Sequence, residues 1–319
     1  MKKSAVIVSD AYLPKKKTLA TRLKTNLPLL LMILPGFLAL LFFHYKPIYG
    51  LLIAFKNYKF KLGVFGSPWA ANNGMEHFIR LFGGNEFAGV LGNTLWISLL
   101  RMVFGWPSPI ILALLLNEIR CGWFKKLTQT LTYIPHFFSW VVLAGIFRMM
   151  FSSVGPVNSL LGVFGFEPIP FYSNNTAFLV LLISTAVWQA LGSSAVVYIA
   201  ALSGVDESLY EAAYIDGASK WKQVLHITLP SIMGTITTVT IMNLANVLNA
   251  GFDQVYNMYN YSVYDVSDIL DTYSLRLLAD GRYEIGAALS FFKSFVGMIF
   301  VLGSNWFIKK ISKDEYGIL

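Results

Sequence analysis

The sequence contains one cysteine, Cys121, among 319 residues, which excludes a disulfide framework. Charge is scarce as well. Only 13% of the residues are Asp, Glu, Lys or Arg, about half the roughly 25% of an ordinary globular chain, so a fully water-facing surface is excluded. No Gly-Lys dipeptide occurs, and without one there is no phosphate-binding P-loop and no ATP hydrolysis by this chain. The four histidines, His44, His77, His136 and His226, lack metal-ligand spacing, and no nucleophile–base arrangement is readable. Apolar residues are abundant instead, at 55% of the chain with a mean hydropathy of +0.58, which excludes disorder. A net charge of +8 would point to nucleic acid on a soluble domain. Here the basic residues sit beside long apolar runs, so the partner they imply is a lipid bilayer and not nucleic acid. The composition is that of an all-helical, polytopic membrane protein.

A bilayer core about 30 Å thick takes about 20 apolar residues in a helix. Six stretches meet that length: residues 27–45; 87–116, interrupted by Arg101 and expected to bend at Pro107 and Pro109; 127–147, containing Pro135 and His136; 177–202; 230–251; and 285–308, interrupted by Lys293. Basic residues in the connecting segments set the orientation. With the N-terminus inside, segments 1–26, 117–126, 204–229 and 309–319 carry 15 Lys and Arg, against 8 in segments 46–86, 148–176 and 252–284. Both termini are therefore expected in the cytoplasm. The expected organisation is a cytoplasmic tail, 1–26, followed by one membrane domain, 27–319. The basic start leads into a full-length span without a small-residue cleavage site, so it reads as an uncleaved anchor. Its Lys15-Lys16-Lys17 run suits anionic headgroups.

The segment between the fourth and fifth spans is the distinctive one. Asp206 or Ser208 can cap a short helix, with Glu211 placed three residues after Ser208 as in a capping box. Gly217 can end that helix in a left-handed conformation. Ser219 can cap a second short helix, and Pro230 suits a first helical turn. Small residues at Ala212, Ala213, Gly217 and Ala218 would permit close approach by another body. Read alone, the segment is either a well-capped connector or a docking element.

Its spacing is specific. Glu211-Ala212-Ala213, Asp216-Gly217-Ala218, Ile227 and Pro230 resemble, without a gap, the signature of permease subunits of binding-protein-dependent, type I ABC importers. Asn93-Thr94, Gly155-Pro156-Val157-Asn158, Phe252-Asp253 and Gly286-Ala287-Ala288 are similar to features of the carbohydrate-importing branch. The stretches 109–118 and 133–140 resemble the subgroup that imports oligosaccharides from complex polysaccharides, alginate and pectin fragments included. The resemblance implies a second, non-identical permease subunit and two ATPase subunits that bind ATP and Mg²⁺, leaving this chain without a cofactor. It further implies an extracytoplasmic solute-binding protein and a bacterial cytoplasmic membrane. Glu211, Ala212, Ala213, Asp216, Gly217 and Ala218 would then form the coupling helix that meets an ATPase.

Polar residues inside the spans are candidates for a translocation path. Asn243, Asn246 and Asn249 recur every third residue, and their amides match sugar hydroxyls or act as packing glue between helices. Trp188 and Gln189 offer an aromatic face beside an amide, or an interfacial tryptophan with its neighbour. Arg101 and Lys293 have no acidic residue in the spans to pair with. They either bond to carbonyls and the partner permease or give the path positive potential for a uronate-containing oligosaccharide. Asp265, Asp268 and Asp271, three apart, are expected along one side of a helix, where they could dock a binding protein or simply be solvated. Segment 46–86, with Trp69, is a second candidate docking surface. The rival class is a secondary transporter or channel, disfavoured because the spans hold no carboxylate for ion coupling; a membrane enzyme lacks any catalytic cluster.

Overall fold

A computed structural model describes residues 19–312. Every regular element among them is helical, and the only strand-like pairing is an isolated bridge between Lys56 and Trp69. Contacts divide the chain into residues 1–51 and 52–319.

The first unit is helix α1, Leu19–Leu40, continued by a wide turn at Leu41–Tyr45. It starts eight residues before the expected span, so the described part of segment 1–26 is helical, and residues 1–18, with the Lys15–Lys17 run, lie outside the described residues. Apolar side chains from Leu27 to Tyr45 are exposed all round, as a lipid-facing helix requires.

The second unit opens with a closed loop. Lys56 donates its ammonium to the Phe65 carbonyl at 2.9 Å and lies over the Trp69 ring. After it come α2, Glu76–Phe82; α3, Asn85–Gly105; α4, Pro107–Glu118; α5, Gly122–Tyr133; α6, Trp140–Met150; α7, Pro156–Val163; α8, Asn175–Leu202; α9, Glu207–Ile215; α10, Met233–Ala245; α11, Phe252–Met258; α12, Leu270–Ala279; and α13, Tyr283–Ser312. Four described helices are long and apolar enough to cross a membrane: Asn26–Phe55, Asn85–Glu118, Asn175–Leu202 and Tyr283–Phe307. Two further crossings arise if each of two bent helix pairs counts as one span.

Three expectations about the spans change in detail. The break at Pro107 is present, because Pro107 has no N–H to donate back and restarts the helix as its first residue. Yet α3 and α4 continue as one 34-residue apolar helix. The third stretch is not a straight span: α5 and α6 meet at 102°. Pro135 tightens the chain into a short 3₁₀ turn, Phe138 and Ser139 are extended, and the Ser139 hydroxyl starts a new helix by accepting from Val142 N–H. The fifth stretch bends by 62° at Ile232 and leaves the helix after Ala245, short of the expected Gly251. There Ala250 and Gly251 are both left-handed, at φ 48° and 75°.

Helix α8 is the centre of the packing. Its Phe178, Leu181, Leu182 and Ile183 join Ile97, Phe147, Val255 and Met258 in one core, while Ala195, Tyr198 and Leu202 join Ala113 and Ile232 in another. Gly192 lies so close to the backbone of Thr132 and Tyr133 that a β-carbon would overlap it. A third core joins α2, α3, α12 and α13 around Phe78, Phe87, Leu277 and Leu289. Polar clamps hold the connections. Asn93 donates to the Asp265 and Asp268 carbonyls, Thr94 accepts from Leu270 N–H, and Asn158 bonds to Ser152 and to both backbone groups of Ile169.

Candidate functional site

Two places combine polar chemistry with an open surface: a cavity at Arg101 and the segment around α9. Arg101 projects from α3 against the backbone corner where α10 ends. The Ser98 hydroxyl, one turn earlier, donates to the Val247 carbonyl and fastens that corner to α3. The Arg101 guanidinium donates to the side-chain carbonyl of Gln254. Gln254 is completely buried, and its amide nitrogen donates to the Leu182 carbonyl at 2.7 Å and the Thr185 hydroxyl at 2.8 Å. Gly251 abuts the guanidinium so closely that a β-carbon there would strike it. A cavity of about 260 Å³ opens in front, lined by Arg101, Ser98, Trp106, Asn243, Asn246 and Asn249 together with the 250–251 backbone. Arg101, Trp106 and Asn243 also line a neighbouring cavity of about 320 Å³ that runs past Ser194 to Tyr198.

The three asparagines and Arg101 are therefore brought together, but not by helical periodicity. Asn243 is helical, Asn246 is the terminal cap of α10, and Asn249 lies in a 3₁₀ turn and caps α11 by accepting from Phe252 N–H at 3.1 Å. The chain unwinds and turns them to the same cavity. Trp188 lies elsewhere, packed edge-on against Phe147 and lining an apolar cavity of about 790 Å³ with Trp96, Leu100 and Phe104. Gln189 is half-buried and outside the lining of the Arg101 cavity. Sequence reasoning missed Gln254 and Gly251; no local pattern marks them, because their partners lie on other helices.

Lys293 belongs to a different environment. Its ammonium is 2.6 Å from both carboxylate oxygens of Asp271, in the first turn of α12, so its charge is neutralised within the chain by a residue outside the spans. The acidic series does not form one helical stripe. Asp265 lies in a short helix, Tyr264–Ser267, the chain is extended at Asp268 and Ile269, and Asp271 opens the next helix. Asp268 is 7% exposed, accepts from Thr272, and pairs with Arg276 at 2.8 Å. Only Asp265 of the three is exposed.

Helix α9 stands out from the packing. Asp206 caps it by accepting from Ser208 N–H at 2.9 Å, and this bond holds its carboxyl below the usual carboxylate range. The capping is by Asp206 rather than by a Ser208–Glu211 box. At the other end Gly217, φ 72°, completes a Schellman turn: Ala218 N–H bonds to the Ala213 carbonyl and Gly217 N–H to Tyr214. Ser219 caps the next turn by accepting from Lys222 N–H. Glu211, Ala212, Tyr214, Ile215 and Asp216 face outward, with Tyr214 79% and Ile215 84% exposed, while Ala213 and Ala218 are half-buried. Among the described residues, Lys220 pairs with Glu118 at the end of α4, the Tyr210 hydroxyl bonds to Thr228, and the buried Gln223 amide donates to the Ala218 carbonyl.

Residues 105–313 match the family described as the binding-protein-dependent transport system inner membrane component. The chain belongs to this family. This permease is 41% identical, over 302 residues, to the polygalacturonan/rhamnogalacturonan transport system permease protein YteP of Bacillus subtilis, covering 94% of this chain and 93% of that one. It is 38% identical over 294 residues to the protein LplB of the same organism, covering 92% of each. Among solved structures, it superimposes on a chain of a bacterial ABC transporter involved in import of the acidic polysaccharide alginate with a TM-score of 0.85, at 35% identity and covering 92% of this chain and 99% of that one. A second structure, the alginate transporter with its pentasaccharide-bound periplasmic protein, gives a TM-score of 0.86 at 34% identity, covering 95% and 100%. The family match takes in the α9 segment and the three asparagines and begins four residues after Arg101.

Proposed function

We propose that this permease carries an oligosaccharide, uronate-containing, across a bacterial cytoplasmic membrane by alternating access. It crosses the bilayer six times, with each bent pair as one span, as a domain 27–319 after a cytoplasmic tail 1–26, and keeps both termini in the cytoplasm. A second, different permease subunit completes the path, and two ATPase subunits supply hydrolysis with their own ATP and Mg²⁺. A solute-binding protein delivers the sugar, with Asp265 and the loop bearing Trp69 as its contacts. Support for the substrate class comes from relatives whose names specify polygalacturonan and alginate and from a polar cavity with one cation and three amides.

One observation carries the coupling role: a short helix, closed at both ends by its own caps, presents Glu211, Tyr214 and Ile215 to the outside. Exposed aromatic and aliphatic side chains beside a carboxylate are what a protein partner covers. Glu211 would meet a basic group of the ATPase through a charge-assisted bond. The test separates backbone shape from packing, because a β-carbon placed on Gly217 would meet no other side chain or backbone within 4 Å beyond its chain neighbours. Gly217→Val, forced into a left-handed conformation at a cost of roughly 1–2 kcal/mol, is expected to insert normally but lower uptake and substrate-stimulated ATP hydrolysis. Gly217→Asn, which tolerates that conformation, should retain both. Full transport by a well-inserted Gly217→Val protein would remove the coupling assignment.

A further inference from the structure

We infer that Arg101 is a preorganised receptor for the carboxylate of one sugar residue, and that Gln254 and Gly251 are the residues that position it. This rests on the acidic-oligosaccharide reading above and names the group within the cavity that would distinguish acid from neutral sugar.

The orientation of Gln254 follows from hydrogen bookkeeping. The Thr185 hydroxyl has one proton, and its own helix takes it, at the Leu181 carbonyl 2.7 Å away or the Leu182 carbonyl 3.2 Å away. Toward Gln254 that hydroxyl can therefore only accept, so the group 2.8 Å away must be the amide nitrogen. The second amide proton goes to the Leu182 carbonyl. With both protons committed on α8, the amide oxygen has one direction left, toward Arg101. A flipped amide would set its oxygen against a carbonyl oxygen. Gln254 thus holds the guanidinium through a neutral acceptor, which fixes its place while leaving its charge intact.

Gly251 completes the socket. It is left-handed, and its α-carbon lies against the guanidinium where any side chain would displace it. No carboxylate pairs with Arg101 among the described residues, in contrast to Lys293, which Asp271 neutralises. Its Nε is buried and has no hydrogen-bond partner there. A buried donor on a charged group demands an acceptor, and a planar guanidinium with free N–H groups receives a carboxylate through two parallel bonds. The amides of Asn243 and Asn246 flank the same cavity. They both donate and accept, so they suit the hydroxyls of a sugar acid.

The experiment uses the complete importer with its binding protein in proteoliposomes and compares uptake of trigalacturonate with that of its carboxyl-reduced, neutral counterpart. Arg101→Met is expected to raise KM for trigalacturonate about tenfold to a hundredfold, as loss of a charged hydrogen-bonded pair does, and to raise KM for the neutral trisaccharide far less. Arg101→Lys, with the charge but not the fork, should recover part of the loss. Gln254→Met should erode the preference for acid while the maximal rate for the neutral sugar persists, which a general packing defect would not do. Equal loss for both sugars, or unchanged trigalacturonate uptake by Arg101→Met, overturns the assignment. Wild-type importer that moves the neutral trisaccharide but not trigalacturonate overturns instead the acidic-substrate reading beneath it. Should Arg101→Met fail to assemble, the wild-type ¹⁵Nε resonance of Arg101 decides. It should move with trigalacturonate and not with the neutral sugar, and a resonance indifferent to both sinks the proposal.

Discussion

Replacing Lys293 by methionine tests whether that cation serves the substrate or the fold. Its ammonium lies 2.6 Å from both Asp271 oxygens, and the two side chains are 25% and 23% exposed. Unit charges about 3 Å apart attract by roughly 5 kcal/mol at an effective dielectric near 20. Desolvation offsets much of this, and the pair stands between an exposed bridge, worth about 0–1 kcal/mol, and a buried one, whose rupture costs about 3–5 kcal/mol. Lys293→Met should thus cost about 1–3 kcal/mol, because Asp271 is left half-buried without its partner. Asp271→Leu in the same chain removes the orphaned charge and should return most of that loss. The assay is thermal unfolding of the assembled importer in nanodiscs, run beside uptake of acidic and neutral oligosaccharides. Lys293→Met should lower the midpoint and reduce uptake of both sugars alike, with the double variant restoring both. A selective loss of acidic uptake at an unchanged midpoint would refute this reasoning and return Lys293 to the translocation path.

Two further outcomes follow from local geometry. The Asp206 carboxyl is held below its usual range by the Ser208 N–H, so its capping contribution is present above the unfolded carboxylate value and is lost as pH falls through the lowered folded value. Amide protection factors across 207–216, with the intrinsic pH dependence of exchange divided out, should therefore fall on acidification in the wild type, and Asp206→Asn, which keeps an oxygen acceptor without a charge, should flatten that dependence. Gly192→Leu pushes a side chain into the Thr132 carbonyl. Overpacking of about 1–3 kcal/mol should appear as a lower unfolding midpoint, and an unchanged midpoint would mean that α5 and α8 are less closely apposed.

What could be read from the sequence was what local chemistry encodes. Asp206, Gly217 and Ser219 each act on a backbone group within a few residues of themselves, and their capping roles are as expected. Apolar run length placed α8 and α13 for the same reason. The 102° bend between α5 and α6 had a local signal too, Pro135 followed by Ser139, but inside an apolar run hydropathy counts length and is blind to direction. Asn243, Asn246 and Asn249 were grouped by a helical argument and meet because the helix ends among them. Gln254 and Asp271 were out of reach: their partners Thr185 and Lys293 stand 69 and 22 residues away, and only packing brings them together.

The bends in the third and fifth stretches lie on elements packed against one unbroken helix, α8, and that asymmetry has a mechanical meaning. A continuous helix of 28 residues resists flexing because every interior turn is bonded to the next. At Phe138–Ser139 the backbone is extended, and at Ile232 it departs from helical dihedrals while its bonds to Thr228 and Ile236 persist, so bending is concentrated at these two points. Gly192, pressed on the Thr132 backbone, supplies a fulcrum between the stiff member and a jointed one. If α9 meets an ATPase as proposed, a push on it would enter through Lys220–Glu118 and Tyr210–Thr228, at the foot of the second stretch and of the fifth. Such a linkage would convert one small displacement at the membrane face into opposed swings of two arms about a mast.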